Sequence, residues 1–377
     1  AVTDSHETAT PLPEKPRQTL WKGQLQVAAI YDETPNVKTF RLKSPDGGPI
    51  PLAFAPGQFL TYSADIDGKH VKRSYTIASS AAQTAYLETT IKREDVGVFS
   101  KFMHDHVRAG DVLDVLGPSG VFTFNGTEAD SVVLIGGGVG ITPLMSVIRY
   151  LADTSWPGDI YLVYGARSTE DFIFRSELEF LQRRMPNLHV AATMARAAGD
   201  AWMGAEGPIT NDLLLRAVPD LAKRRVHLCG PPAMMGAVRK LLFDLGVPVD
   251  NVKTEAFGPA LGAVPPPGVT VTEPASKLNS NVTGQQVIGP ATATIRFAKS
   301  NKVSPLAPDI SVLEAAEAAG VAIDYSCRAG ICGVCKTKLL EGSVTMEVED
   351  ALTADDKSRN LILACQAKSI GNLTVEA

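Results

Sequence analysis

The spacing of apolar and polar positions changes character along this 377-residue chain, and each pattern predicts a different architecture. From Leu25 to about Gly126, short runs alternate apolar with polar residues and are separated by turn formers, the pattern of half-buried strands. Runs at Leu25–Ile30, Val37–Leu42, Phe59–Ala64, Ser74–Ala78, Tyr86–Lys92 and Val112–Leu116 predict six strands. So many short strands in about a hundred residues predict a small antiparallel β-barrel. A helix is predicted at Lys101–Val107.

At Ser131–Ile135 alternation gives way to a continuous apolar run, as in a parallel strand buried on both faces. Helical segments at Pro143–Leu151, Phe172–Arg183, Asp212–Ala217 and Ala233–Leu245 then alternate with strands at Ile160–Tyr164, Leu188–Ala192 and Arg225–Cys229. That order predicts a doubly wound α/β domain. Residues 258–289 break both patterns with five Pro, five Gly, no aromatic residue and two charges. They read as a flexible linker with a reach on the order of 30 Å. Near Ala293–Phe297 a strand restarts the pattern. A helix follows from Ser311, where Ser311 and Glu314 form a capping box and Gly320 suits the position after the helix end. The predicted domains are therefore 20–126, 127–257 and 290–377, with a disordered N-terminus over 1–19.

Composition narrows the function classes. The chain is 45% hydrophobic and 20% charged, a globular balance, and its formal net charge of −5 gives no support for nucleic-acid binding. No apolar run approaches the ~20 residues of a membrane-spanning helix. Five cysteines without a leading basic and apolar signal segment predict a reducing compartment, the cytoplasm.

Four of those cysteines carry the sharpest chemistry. Cys327, Cys332 and Cys335 follow the spacing C-x4-C-x2-C, and Cys365 comes 29 residues later. That is the ligand spacing of a plant-type 2Fe–2S centre. A zinc site would more often pair two short knuckles or use His. Gly330 and Gly333 supply the positive-φ freedom that a loop wrapped around a cluster needs. No Cys-x-His pair exists to make a Rieske centre in this chain.

Other motifs predict a flavin and a nucleotide. Arg73-Ser74-Tyr75-Thr76 ends a predicted strand, offering a cationic fork for a diphosphate, a flat ring and a hydroxyl. Lys92 closes another strand. Gly97-Val98-Phe-Ser100 opens the predicted helix, with Ser100 as its cap and the helix N-terminus as a diphosphate site. Gly136-Gly137-Gly138-Val-Gly140-Ile-Thr142-Pro143 follows a buried strand, its bare backbone open to a diphosphate, and Thr142-Pro143 reads as cap plus first helical residue. Cys229-Gly230-Pro231-Pro232 lies at the carboxyl end of a later strand, where ligands of open α/β sheets sit. Arg167 follows the second parallel strand, where it would grip a 2′-phosphate, contact the ribose or adenine of NADH, or face solvent.

In combination these residues resemble the ferredoxin–NADP reductase superfamily. The order of domains resembles the single-chain reductases of Rieske-type oxygenases, and within them the betaine monooxygenase and demethylase branch. The likeness rests on Glu33-Thr-Pro-Asn-Val-Lys-Thr-Phe40, Arg73–Thr76, Gly136–Pro143, Cys229–Pro232 and Glu255-Ala-Phe257-Gly258. It implies a barrel for FAD, an α/β domain for NADH (NADPH remaining open) and a β-grasp ferredoxin domain of α+β type. By the resemblance Arg73, Tyr75, Thr76 and Ser100 hold the flavin and Phe257 covers its ring. Thr76, Cys229 and Glu255 line the hydride path, and the Gly97–Ser100 turn favours FAD over the FMN of phthalate-type relatives. The implied partner is a separate oxygenase docking at the ferredoxin domain. A hybrid-cluster protein, another acceptor, or a flavin and cluster redox sensor are the competing readings. Eleven acidic and nine basic side chains in 290–377 are too balanced to name a partner.

Overall fold

A computed structural model of the chain describes residues 21–196, 201–256, 293–306, 310–321, 323, 325, 330, 333, 335–346, 349, 351–369 and 371–377. The N-terminal segment 1–19 and the linker 258–289 lie outside them, as do Phe257, Cys327 and Cys332.

The first sheet is built from β1 (Trp21–Thr34), β2 (Val37–Lys43), β3 (Phe59–Ile66), β4 (Lys69–Thr76), β5 (Leu87–Lys92) and β6 (Val112–Ser119), with α1 (Val98–Asp105) between the last two. Its order is β4-β3-β6-β1-β2-β5, every pairing antiparallel. The two edges meet. Ile77 bridges Thr89, and the Ala78 amide donates to the Glu88 carbonyl at 2.7 Å, so the sheet curls into a barrel. Alternation predicts this because one face of each strand is apolar. Leu25, Phe40, Leu42, Leu60, Tyr62, Leu87 and Ile91 fill the interior and are fully buried.

The second unit contains β7 (Ser131–Gly137), α2 (Ile141–Asp153), β8 (Asp159–Ala166), α3 (Arg175–Arg184), β9 (Leu188–Met194), β10 (Ala205–Glu206), α4 (Asn211–Ala217), β11 (Arg225–Gly230), α5 (Pro232–Asp244) and β12 (Val252–Ala256). Its strand order is β10-β9-β8-β7-β11-β12, parallel throughout. The order reverses beside β7, which is the doubly wound arrangement. Every residue of β7 is buried, as its unbroken apolar run predicts. Strands β10 and β12 carry too few apolar residues to be read from pattern.

The third unit comprises β13 (Thr294–Phe297), β14 (Lys302–Pro305), α6 (Val312–Ala318), β15 (Lys336–Glu341), α7 (Ala354–Ser358), β16 (Leu361–Leu363) and β17 (Leu373–Val375). Its mixed sheet, β14-β13-β17-β15-β16, lies under α6. Ser311 and Glu314 make the predicted capping box, and Gly320 takes the expected left-handed turn at φ 64°. Helix and sheet share one core through Ile295, Phe297, Val312, Leu313, Ile362 and Leu363.

Barrel and α/β unit pack through an apolar seam. Val37, Ala78, Phe122 and Phe124 from the barrel side join Ile141, Leu144 and Ile148 of α2 in one cluster. His227 of β11 is buried against the ring edges of Phe122 and Phe124, with centroids 4.9 and 5.8 Å away. Burial, then the nearby Arg225 and Lys253 charges, pushes its pKa down to about 3, so this histidine is a neutral packing group.

Candidate functional site

Strand β4 delivers Arg73, Ser74, Tyr75 and Thr76 to the closing corner of the barrel. Arg73 is exposed and its guanidinium donates to the Lys72 carbonyl at 2.7 Å. Ser74 shares a hydrogen bond with Thr61 at 2.8 Å. The Tyr75 ring packs 5.9 Å from Tyr62 and 6.1 Å from Phe99, and burial raises its pKa, keeping it a neutral phenol. Thr76 is 2% exposed, and its hydroxyl is a buried polar atom with no hydrogen-bond partner. A buried hydroxyl without a partner costs about 1–3 kcal/mol, a cost normally offset by a ligand or water. That orphan fits a flavin edge seated at the end of β4.

The Gly97 turn departs from expectation in one respect. Helix α1 begins at Val98 with Gly97 as its cap, so Ser100 lies inside the first turn and does not cap it. Its hydroxyl instead accepts from the Glu94 amide at 3.1 Å and donates to the Gly97 carbonyl at 3.2 Å. A side chain at Gly97 would bring its Cβ 2.3 Å from the Ser100 Oγ, which is why this tight turn carries glycine. Val98 is half exposed beside it, and Lys92 is paired with Glu94 at 2.8 Å.

The glycine turn after β7 makes a second correction. Residues 138–140 wind into a short 3-10 turn that starts α2 early, at Ile141, with Gly140 as its cap. Thr142 and Pro143 therefore sit within the first helical turn, both buried, and the Thr142 hydroxyl donates to the Val139 carbonyl at 3.0 Å. A Cβ on Gly140 would stand 2.4 Å from the Cys229 carbonyl oxygen. One on Gly137 would stand 2.3 Å from the Met234 sulfur, and one on Gly230 3.1 Å from the Gly137 nitrogen. The turn and the Cys229–Pro231 strand end are thus in backbone-to-backbone contact, with Pro231 capping α5. Gly138 differs, since at φ 53° its missing side chain would meet nothing within 4 Å. This open, bare backbone fits a diphosphate.

Register then aligns Cys229 and Glu255, two of the residues that the resemblance assigns to a hydride path. Parallel pairing sets Gly136 opposite Cys229 and Cys229 opposite Glu255, three adjacent strands in one row. Cys229 is fully buried, and desolvation followed by the Glu255 charge pushes its thiol pKa well up, so it stays protonated. Glu255 is half-buried overall, but its Oε2 is fully covered and without a hydrogen-bond partner. Desolvation raises its pKa from the ordinary 4.5 to about 8. The folded chain then keeps a proton that the unfolded chain has lost between pH 4.5 and about 8, so stability falls as pH rises through that window. Melting temperatures between pH 5 and 9 should decline more steeply for the natural protein than for Glu255→Gln. Parallel curves would refute the assignment.

Arg167 is exposed, and Asp171 binds it. The Asp171 carboxylate accepts from Arg167 Nη2 at 3.2 Å and, through its other oxygen, from the buried Ser168 hydroxyl at 2.9 Å. Sequence reading passed over Asp171, although its spacing of four from Arg167 was visible.

In the third unit the β15–β16 pairing, Lys336 opposite Leu363, draws the flanking cysteines together. The Cys335 and Cys365 sulfurs stand 3.3 Å apart. A disulfide would be about 2.05 Å, whereas two thiolates on one tetrahedral metal with bonds of about 2.3 Å lie about 3.7 Å apart. The pair fits two ligands of one iron. Gly330 and Gly333 take φ values of 77° and 69°, as a cluster loop requires. Lys336, beside Cys335, is bonded to Asp356 at 2.6 Å, and that ammonium with the Thr353 amide and hydroxyl holds the Asp356 pKa well down.

Comparison with known proteins agrees with this anatomy. Residues 24–124 match the oxidoreductase FAD-binding domain family, 134–240 the oxidoreductase NAD-binding domain family, and 299–369 the 2Fe-2S iron-sulfur cluster binding domain family. The glycine betaine monooxygenase reductase subunit of Chromohalobacter salexigens is 34% identical over 94% of this chain and 95% of its own. The stachydrine N-demethylase reductase subunit of Rhizobium meliloti is 30% identical over 94% of this chain and 96% of its own. Phthalate dioxygenase reductase, a modular structure for electron transfer from pyridine nucleotides to 2Fe-2S, has the same fold. It superimposes with a TM-score of 0.56 at 24% identity, covering 94% of this chain and 98% of that one.

Proposed function

Because this chain belongs to the family of oxygenase reductases that join FAD-binding, NAD-binding and 2Fe-2S domains in one polypeptide, we propose that it draws electrons from NADH and delivers them singly to a separate oxygenase of Rieske type. The observation that carries the reading is the Cys335–Cys365 thiol pair, a one-electron site fused behind a flavin barrel and a nucleotide sheet. When bound, FAD turns a two-electron hydride donor into a source of single electrons, and the cluster carries them one at a time. Arg73, Ser74, Tyr75, Thr76, Lys92, Gly97, Val98 and Ser100 would hold the flavin. Gly137, Gly138, Gly140, Thr142, Pro143, Arg167, Gly230 and Pro231 would hold the nucleotide. Cys335 and Cys365, with Cys327 and Cys332, would hold the cluster. The row Gly136, Cys229, Glu255 offers the nicotinamide a wall that is uncharged below about pH 8. Such chemistry belongs to a reducing compartment, the cytoplasm. No helix among the described residues is long and apolar enough to cross a membrane.

The test is reconstitution. The chain should reduce cytochrome c with NADH and should support turnover of a Rieske-type betaine or N-methyl oxygenase. Brisk cytochrome c reduction with no turnover of any Rieske oxygenase supplied would remove the partner from this reading while leaving the reductase.

Donor choice rests on Asp171. Its carboxylate occupies both Arg167 and Ser168, the donors that a 2′-phosphate would need, and adds a like charge there. Asp171→Ser should raise kcat/KM for NADPH relative to NADH on the order of 10-fold. An unchanged ratio in steady-state assays would show that the adenosine end binds elsewhere.

A further inference from the structure

The seam between barrel and α/β unit contains a charged device that the motifs do not include. Arg149 projects from α2, the helix that begins at the Gly136–Pro143 turn, and its side chain is 14% exposed. Its Nη1 donates to the Ala78 carbonyl at 2.8 Å and to Glu88 Oε2 at 3.3 Å, both in the barrel. Its Nε and Nη2 donate to the two oxygens of Glu177 in α3 at 2.8 and 2.6 Å. The Phe174 ring, held at φ 60°, covers the guanidinium at 4.8 Å. Glu88 is 8% exposed and gives its other oxygen to Arg41, so it is a barrel group with one partner on each side of the seam. One turn earlier on α2, the Ser146 hydroxyl donates to the Ser79 carbonyl at 3.0 Å and accepts from the Gly57 amide at 3.3 Å.

We infer that Arg149 and Glu88 are positioning residues that hold the nucleotide turn in register with the flavin end of β4. The inference rests on the reductase reading. Two of the barrel anchors, the Ala78 and Ser79 carbonyls, lie immediately after Thr76 and Ile77. Both anchors on the other side belong to the helix whose first turn is the nucleotide site. The span from Gly140 to Arg149 is rigid helix, about 13 Å at 1.5 Å per residue. A shift at the clamp therefore becomes a shift of the turn against Thr76. None of the clamp hydrogen bonds given above is made to the Gly136–Pro143 turn itself, so the effect falls on alignment rather than on affinity. Displacements of about 1 Å between reacting groups cost on the order of 100-fold in rate.

Glu177 provides the control, because it grips the same guanidinium from within the α/β unit and does not cross the seam. The experiment compares full-length protein carrying Glu88→Gln, Arg149→Lys or Glu177→Gln. It uses stopped-flow reduction by NADH, titration with NAD, thermal melting, and hydrogen exchange at the Gly57 amide. Glu88→Gln and Arg149→Lys should slow the limiting rate of reduction by about 10- to 100-fold. Their dissociation constants for NAD should stay within about 2-fold, and Gly57 exchange should quicken by about 10-fold or more. Glu177→Gln should lower the melting temperature while leaving the limiting rate and Gly57 exchange near those of the natural protein. The inference is overturned if Glu88→Gln reduces at the natural rate, or if Glu177→Gln is slowed as much as Glu88→Gln. Natural protein that NADH fails to reduce would overturn the reductase reading instead. The exchange comparison, which needs no nucleotide, would then decide the clamp alone.

Discussion

Replacing Cys365 with Ser should abolish the visible absorbance of the cluster and cut NADH-driven cytochrome c reduction by on the order of 100-fold or more, while ferricyanide reduction survives. The magnitude follows from ligand loss, since even removal of groups that merely orient metal ligands costs 10- to 100-fold. Ferricyanide can take electrons from the flavin end, so its retention separates a broken exit from a broken enzyme. The residue is well suited to the test. Cys365 is only partly buried, whereas Cys335 is 2% exposed in the third core and its replacement would also disturb packing. The turn that presents Cys365 is held independently by backbone bonds from Ala364 to Cys335 and from Ala367 to Leu363, at 3.0 and 2.9 Å. Iron content and cytochrome c assays together decide the matter. Full iron content and undiminished cytochrome c reduction in Cys365→Ser would sink the assignment of the fourth ligand.

Gly140→Ala should suppress NADH-driven flavin reduction on the order of 100-fold and leave reduction by dithionite unchanged. The added methyl would meet Cys229 carbonyl oxygen at 2.4 Å, the Cys229 carbonyl carbon at 2.6 Å and Gly230 Cα at 2.6 Å. All three are backbone atoms of a central strand, so no side chain can swing away and the turn itself must move. Overpacking of this kind costs about 1–3 kcal/mol, a drop of several degrees in melting temperature rather than loss of the fold. Gly138→Ala makes the contrast. It meets open space, and only its φ of 53° is unfavourable, at about 1–2 kcal/mol for a left-handed alanine. Stopped-flow traces for the two variants should therefore rank Gly140→Ala far below Gly138→Ala. The reverse order would mean that the turn's angles, not its contact with the Cys229 strand, control nucleotide alignment.

What was legible in the sequence followed the range of the interactions responsible. Strand and helix periods report local burial, so the barrel strands, the buried β7 and the alternation of helices with parallel strands emerge from pattern alone. Capping is also local. Ser311 with Glu314 behaves as spacing predicts, because both partners lie within one helical turn. The same kind of inference failed at Ser100 and Thr142. There a neighbouring glycine took the cap first, and the hydroxyls turned back to bond inside the turn. The choice between glycine and Ser or Thr as cap depends on how the preceding strand enters, which spacing does not encode.

By itself the sequence determined which chemistries this chain carries. Three cysteines within nine positions, an Arg-Ser-Tyr-Thr strand end and a glycine turn each point to a ligand through residues close together in the chain, with Cys365 the one distant member. Only the tertiary structure decided how those sites meet. Parallel register put Cys229 between Gly136 and Glu255. The antiparallel pairing of β15 with β16 brought Cys365 to Cys335 across thirty positions. Packing at the seam joined Arg149 to Glu88 across sixty-one. Each of these depends on pairing over long separations, where the side chains carry no local mark of their partner. Their energies exist only once desolvation and backbone register have been settled by the whole fold.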